Sequence, residues 1–301
     1  KFNHGFKTPS SIFYINSLFY LPLAKYHLYN FSSIFILGFA NIILLKKIHN
    51  FFEFSNSQKR NKIDFINFLS LASFMFINIF FYRLSEYGTD RAAMILIFIF
   101  IIELLRLVNL KNIKTFDLFY IYLLGGIIIS LKAFYILYII FVIPLFIFIY
   151  AKKNFSGTLN FLFLNKFFGL FLVILFFVLG TYFINTGCIL YPISLTCFDS
   201  LNWGISSSRV QALNDWYHLW SKGGAGPNFR VANPDEYIEG FNWVSNWIDV
   251  YFFNKVSDYI LGVIVLLSIF IFTFRKNFFS KNLIKINFSM YLIYFIILIL
   301  L

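Results

Sequence analysis

DLFYIYLLGGIIISL at 117–131, then Lys132, then AFYILYIIFVIPLFIFIY at 133–150: the reading of this stretch decides how the whole chain is threaded. As one helix it would run about 50 Å at 1.5 Å per residue, well beyond a hydrocarbon core of about 30 Å. It would also strand Lys132 in mid-bilayer, where a lysine costs roughly 3 kcal/mol or more. As two helices with a tight turn at Lys132, it brings the chain back to the side from which it came.

Apolar runs of the same kind occupy 29–45, 63–82, 92–108, 167–186 and 259–274, and a further one begins near Phe288. Together they predict an all-α, polytopic transmembrane helical bundle of about 7–8 spanning helices. Counting every second connection as cytoplasmic places Lys46, Lys47, Lys59, Arg60, Lys62, Arg106, Lys111, Lys114, Lys152, Lys153, Lys166, Arg275, Lys276, Lys281 and Lys285 on one side. Outside the loop 187–258, that is 15 basic residues inside against 6 outside. The one-helix reading of 117–150 reverses the later segments and gives 8 against 12. The positive-inside bias selects the two-helix threading. The expected location is a bacterial inner membrane, multi-pass, with the large loop in the periplasm.

Four regions are expected: an outer juxtamembrane segment at 1–28, six membrane helices at 29–186, a periplasmic loop region at 187–258, and truncated C-terminal helices at 259–301. The chain starts at Lys1 without a methionine and stops inside an apolar run, so it reads as a fragment. Thr8 and Pro9 suggest a helix start, with Thr8 as cap and Pro9 at the first helical position. The helix predicted at 9–24 lies on the outer leaflet; a short spanning helix is the alternative.

Composition agrees with a membrane protein: 60% hydrophobic and 13% charged residues exclude an ordinary soluble domain. The net charge of +12 is concentrated on the cytoplasmic loops, where it marks topology and attracts anionic headgroups. It forms no basic stripe on a soluble fold, so nucleic acid is not an expected partner. The four histidines lack metal-ligand spacing, and neither a Walker loop nor a nucleophile elbow occurs.

The outer loop 187–258 holds both cysteines, Cys188 and Cys197, and all five tryptophans. Two cysteines in one periplasmic loop suggest a disulfide, two unrelated thiols being the alternative. Trp216/Trp220 and Trp243/Trp247 are each four residues apart, so each pair shares a helix face suited to the headgroup zone. Gly223–Pro227 reads as a flexible turn between them.

The outer turn Arg83-Leu84-Ser85-Glu86-Tyr87-Gly88-Thr89-Asp90-Arg91 carries the candidate chemistry. Glu86 and Asp90 can converge on a divalent cation or a substrate hydroxyl, with Arg83 and Arg91 beside them for phosphate oxygens. A solvated turn whose acids pair with the arginines is the equal alternative. Lys132, in the other short outer turn, is placed either to meet a lipid phosphate or to snorkel to the headgroups.

The segments HGFKTPSSIFYINS at 4–17, LSEYGTD at 84–90, and GCILYP with TCF at 187–192 and 196–198 resemble those of large bacterial membrane proteins similar to the GT-C class of glycosyltransferases. The resemblance covers most of the chain. It implies a GT-C-like bundle that transfers a sugar from a polyprenyl-phosphate-linked donor to a glycan or lipid acceptor on the periplasmic face, in surface-polysaccharide or glycolipid synthesis. It further implies 9–24 as the juxtamembrane helix and Glu86 with Asp90 in the second outer loop, where they hold a divalent cation (Mg or Mn) or the substrate. The principal catalytic base would then lie upstream of Lys1. A transporter or flippase of lipid-linked glycans, or a non-catalytic component of a polysaccharide assembly complex, is the alternative.

Overall fold

The computed structural model describes residues 10–23, 25–28, 31–56, 65–80, 90–110, 112–226, 228–257, 260–262, 264 and 268. Two compact units divide the chain, one over Pro9–Val178 and one over Leu179–Lys276.

The first unit is helical throughout. Its elements are α1 (Ser11–Leu18), α2 (Phe31–Asn56), α3 (Phe65–Phe80), α4 (Asp90–Asn109), α5 (Asp117–Leu131), α6 (Val142–Tyr150), α7 (Phe155–Phe163) and the first part of α8 (Lys166–Thr186). The centre is α4, which packs against α2, α3, α5 and α6. Ile95, Ile97, Ile101, Ile102, Leu104 and Leu105 on α4 are fully buried, and the apolar stretch 92–102 matches this cover on every side. By contrast, α2 and α8 turn Phe35, Phe39, Ile42, Phe176, Phe177 and Ile184 outward. Outward faces of this composition suit hydrocarbon rather than water.

Among the described residues, three helices are long and apolar enough to cross a membrane: Phe31–His49 within α2, Asp90–Asn109, and Lys166–Thr186. At 20 and 21 residues, α4 and α8 are about 30 Å long, the thickness of the hydrocarbon layer. Among the described residues, the seven to eight spans expected from sequence are not reached. The described part of α3, 16 residues, covers about 24 Å, and α5, with 15 residues, about 22 Å. The run at 259–274 is described only at 260–262, 264 and 268, and the run from Phe288 lies outside the described residues.

The break at Lys132 is present. Lys132 ends α5 in an extended conformation (φ −154°, ψ 116°), and its N–H closes the helix on the Ile128 carbonyl at 3.1 Å. The second half of the stretch is not one α-helix: Ala133–Phe141 winds as a 3₁₀ helix and only Val142–Tyr150 is α-helical. Pro144 supplies a reason. In the first turn of α6 its missing N–H is harmless, but it cannot extend an α-helical ladder back toward Ile140.

At the amino end, the helix predicted at 9–24 is only eight residues long, about 12 Å, and too short to span. Its cap is Ser10, whose hydroxyl accepts from the Ile12 N–H, rather than Thr8. Thr8 and Pro9 lie outside the described residues. Asn16 is buried and accepts a hydrogen bond from the Ser32 hydroxyl at the start of α2. A polar side chain on this apolar helix thereby has its partner.

The second unit begins within α8 and continues through a disulfide-closed loop, α9 (Ser207–Ser221), a hairpin of β1 (Ala225–Gly226) and β2 (Phe229–Arg230), α10 (Pro234–Ile238), and α11 (Val244–Trp247). A π-helical stretch follows at Ile248–Val256.

Candidate functional site

Two of the residues singled out in the sequence, Asp90 and Lys132, meet. Asp90 is the first residue of α4 and Lys132 caps the end of α5; the Lys132 ammonium donates to Asp90 Oδ1 across 42 positions of sequence. Each charge also suits its own helix, an anion at an amino end and a cation at a carboxyl end. The side chains remain 49% and 33% exposed, so the pair is accessible from the bundle's end. Nearby, the Ser10 hydroxyl donates to the Leu131 carbonyl, and the Ser11 and Ser130 hydroxyls lie 2.8 Å apart. The start of α1 is thereby fixed to the end of α5. Arg83 and Glu86 lie outside the described residues, so only Asp90, Arg91 and Lys132 of the proposed set are placed. Among the described residues, no group of three or more His, Cys, Asp or Glu side chains is arranged to hold a metal ion.

The opposite end of the same unit gathers charges assigned to the cytoplasmic side. Lys47 of α2 bonds Glu103 of α4 at 2.7 Å, and Arg106 bonds Glu103 at 2.6 Å. Arg106 also lies 3.8 Å from Asp117 at the start of α5, whose carboxylate accepts the Lys114 N–H at 2.9 Å. Lys152, just past α6, donates to the Leu110 carbonyl at 3.4 Å. Phe167, at the start of α8, packs on Phe116 and Phe119 at 5.9 and 5.3 Å. Every described contact here joins residues that the two-helix threading puts on one side. The Asp90–Lys132 contact does the same at the other end.

Two features of this unit escaped the sequence reading. Asn41 and Asn78 exchange reciprocal amide hydrogen bonds of 3.0 and 2.8 Å across the α2–α3 pair. Polar side chains are a known means of tying helices together in lipid, each such bond being worth about 0.6 kcal/mol. The connection 151–165 also contains α7, capped by Asn154, which accepts from the Gly157 N–H at 2.8 Å. The signal was available in Asn154 preceding Phe155, Leu159 and Leu162.

In the second unit, Cys188 and Cys197 form the expected disulfide, with an S–S distance of 2.10 Å. The end of α8 is closed by Gly187 at φ +75°, whose N–H bonds the Phe183 carbonyl at 2.8 Å. This is the left-handed position at which helices commonly stop. A Cβ on Gly187 would meet the Gly204 backbone at 2.8 Å, so both conformation and space demand glycine there.

The tryptophan pairs share helix faces as read, with ring centroids 4.5 Å apart for Trp216/Trp220 and 6.3 Å for Trp243/Trp247. All four rings are half-buried, and Trp203 is the exposed one. The glycine-rich segment is more constrained than a flexible turn. Gly224 packs under Tyr237, where a Cβ would come within 2.6 Å of the ring. The Asn246 amide donates both to Gly223 O and to Tyr237 Oη at 2.9 Å.

Asp199 holds the start of α9. Its two oxygens accept from the Ser207 N–H and hydroxyl, both at 2.6 Å, and these bonds, the hydroxyl first, hold its carboxyl below the usual range. Eight positions separate the partners, outside the local capping patterns that a sequence displays.

No curated protein and no solved structure matches the chain. A family model described as a domain of unknown function (DUF8201) matches residues 4–301, and the chain belongs to that family.

Proposed function

We propose that the protein is a polytopic membrane glycosyltransferase, GT-C-like in plan, that transfers a sugar from a polyprenyl-phosphate-linked donor on the periplasmic face. The observation that carries this reading is the meeting of Asp90 and Lys132. Two turns distant in sequence, each marked as an outer turn, present a carboxylate and an ammonium at one accessible point. In the proposed reaction an acceptor hydroxyl oxygen attacks the anomeric carbon as the bond from that carbon to the phosphate oxygen breaks. Its proton passes to a carboxylate, and the polyprenyl phosphate leaves as the anion. Lys132 would stabilise the departing phosphate and Asp90 would orient the sugar or the acceptor, with Glu86 and Arg83 completing the turn.

A divalent cation, if used, would compete with Lys132 for Asp90 and would need Glu86 as a second ligand. The remaining spans, at 63–82, 117–131, 133–150 and 259–274, belong to this proposal, as do the inner-membrane location and the periplasmic placement of 187–258. The well-packed Ile and Leu lining of α4 favours an enzyme over a transporter or flippase, which needs a polar path.

The test is turnover of polyprenyl-phosphate-linked hexoses by full-length protein in proteoliposomes, comparing wild type with Asp90→Asn, Glu86→Gln and Lys132→Gln. The proposal expects losses of about a hundredfold or more in rate for Asp90→Asn, the scale of a lost electrostatic contact in a transition state. Near-normal turnover in all three variants would remove these turns from the site.

A further inference from the structure

An apolar slot of about 230 Å³ lies between α4, α5, α6, α7 and α8. Phe100, Gly125, Phe146, Phe168 and Phe171 form its walls. The Tyr122 hydroxyl, the polar group at its edge, is already committed as donor to the Leu162 carbonyl at 2.5 Å. Gly125 widens the slot: a Cβ there would sit 3.7 and 3.8 Å from the rings of Phe100 and Phe171. The slot exceeds the roughly 150 Å³ of an engineered dry cavity that accepts benzene. It suits a hydrocarbon chain and offers nothing to a polar ligand.

Three exposed cations lie at the ends of the helices that wall it. Lys152, at the end of α6, holds its ammonium 4.1 Å from the Phe148 ring centroid; Lys153 lies 4.0 Å from Phe161, and Lys166 5.2 Å from Phe167. Phe161 and Phe167 each precede a wall residue, Leu162 and Phe168, by one position. The Phe161 and Phe167 faces hold the Lys153 and Lys166 ammonium groups next to wall residues, and Lys152 also donates to the Leu110 carbonyl. Basic pockets between membrane helices on the cytoplasmic side recognise phosphate headgroups.

We propose that this slot and its lysine rim form a binding site for an anionic diacyl phospholipid of the cytoplasmic leaflet, one acyl chain lying in the slot and the phosphate against Lys152, Lys153 and Lys166. The site rests on the membrane reading of the chain and is independent of sugar transfer. α7 is the element that makes it, since this short helix turns Leu162 and Phe163 toward the slot and separates the two sources of lysine.

Resistance of the chain to alkaline extraction from membranes, measured first, tests the membrane reading by itself. Full-length protein in mixed micelles is then loaded with phosphatidylglycerol or phosphatidylcholine of identical chains, and bound lipid is quantified by native mass spectrometry. Wild type is expected to prefer phosphatidylglycerol. Replacing Lys152, Lys153 and Lys166 by Gln, all exposed and outside the core, should weaken phosphatidylglycerol by about a hundredfold, from about 1 kcal/mol per lysine, and leave phosphatidylcholine unchanged. Gly125→Leu, which fills the slot, should reduce both lipids. Equal retention of the two lipids by wild type, or phosphatidylglycerol binding indifferent to either change, would overturn the proposal.

Discussion

Lys132 at the end of α5 reaches the carboxylate of Asp90 at the start of α4, joining two helix ends 42 residues apart. The contact is structurally cheap: an exposed pair of this kind contributes about 0–1 kcal/mol to stability. Neutralising either residue should therefore leave the fold essentially intact, which makes the pair a clean target for functional tests.

Glu103 sits in a different setting. Its side chain is 14% exposed, and it holds both Lys47 and Arg106. Glu103→Gln removes the carboxylate that Lys47 and Arg106 share, Arg106 keeping its longer contact with Asp117, and should cost about 3 kcal/mol, the scale for breaking a buried pair. Thermal unfolding in detergent checks this: the midpoint should fall clearly for Glu103→Gln and barely move for Asp90→Asn.

Gly187→Ala tests the closure of α8. The new methyl group meets both an unfavourable φ and the Gly204 backbone, so a loss of about 1–3 kcal/mol is expected from conformation alone, with the clash in addition. Limited proteolysis of 187–206 should speed up in the variant. An unchanged cleavage rate would show that the loop relaxes without cost.

The contrast between what was readable and what was not follows the range of each contact. The α4 span, the interruption at Lys132 and the paired cysteines are local signals: an unbroken apolar run, one charge in an apolar stretch, two thiols in one loop. Threading places the turns of Asp90 and Lys132 on one side, but their pairing across 42 positions was not readable from either turn. The Asn41–Asn78 pair, the Ser10 contact with Leu131 and the Asp199 cap on Ser207 join positions whose proximity no spacing rule encodes. The 3₁₀ path of 133–141 was hidden because apolar composition alone does not distinguish helix types, and α7 because its nine residues lay inside a connection counted only for its charges.

Asp199 makes stability of the second unit depend on acid. Its carboxyl is held below the usual range by the Ser207 hydroxyl and N–H, so its contribution is complete above the unfolded value near 3.8 and disappears as pH falls through the lower, folded value. Acid unfolding of wild type and Asp199→Asn, followed by tryptophan fluorescence, should converge at the lowest pH and separate on the neutral side. Parallel curves at all pH values would contradict this role.

The central claim, that Asp90 and Lys132 act on substrate rather than merely pair, is tested most directly by exchanging them. Asp90→Lys combined with Lys132→Asp restores an ion pair of opposite sense, and each charge then opposes its helix dipole at about 0.3–1 kcal/mol, a loss the fold should survive. Turnover of polyprenyl-phosphate-linked hexoses by the full-length exchanged protein, with its thermal midpoint measured alongside, is the decisive measurement. The account predicts a folded protein without transfer activity, while recovery of near-wild-type turnover by the exchanged pair would show that these residues serve only to hold the two turns together.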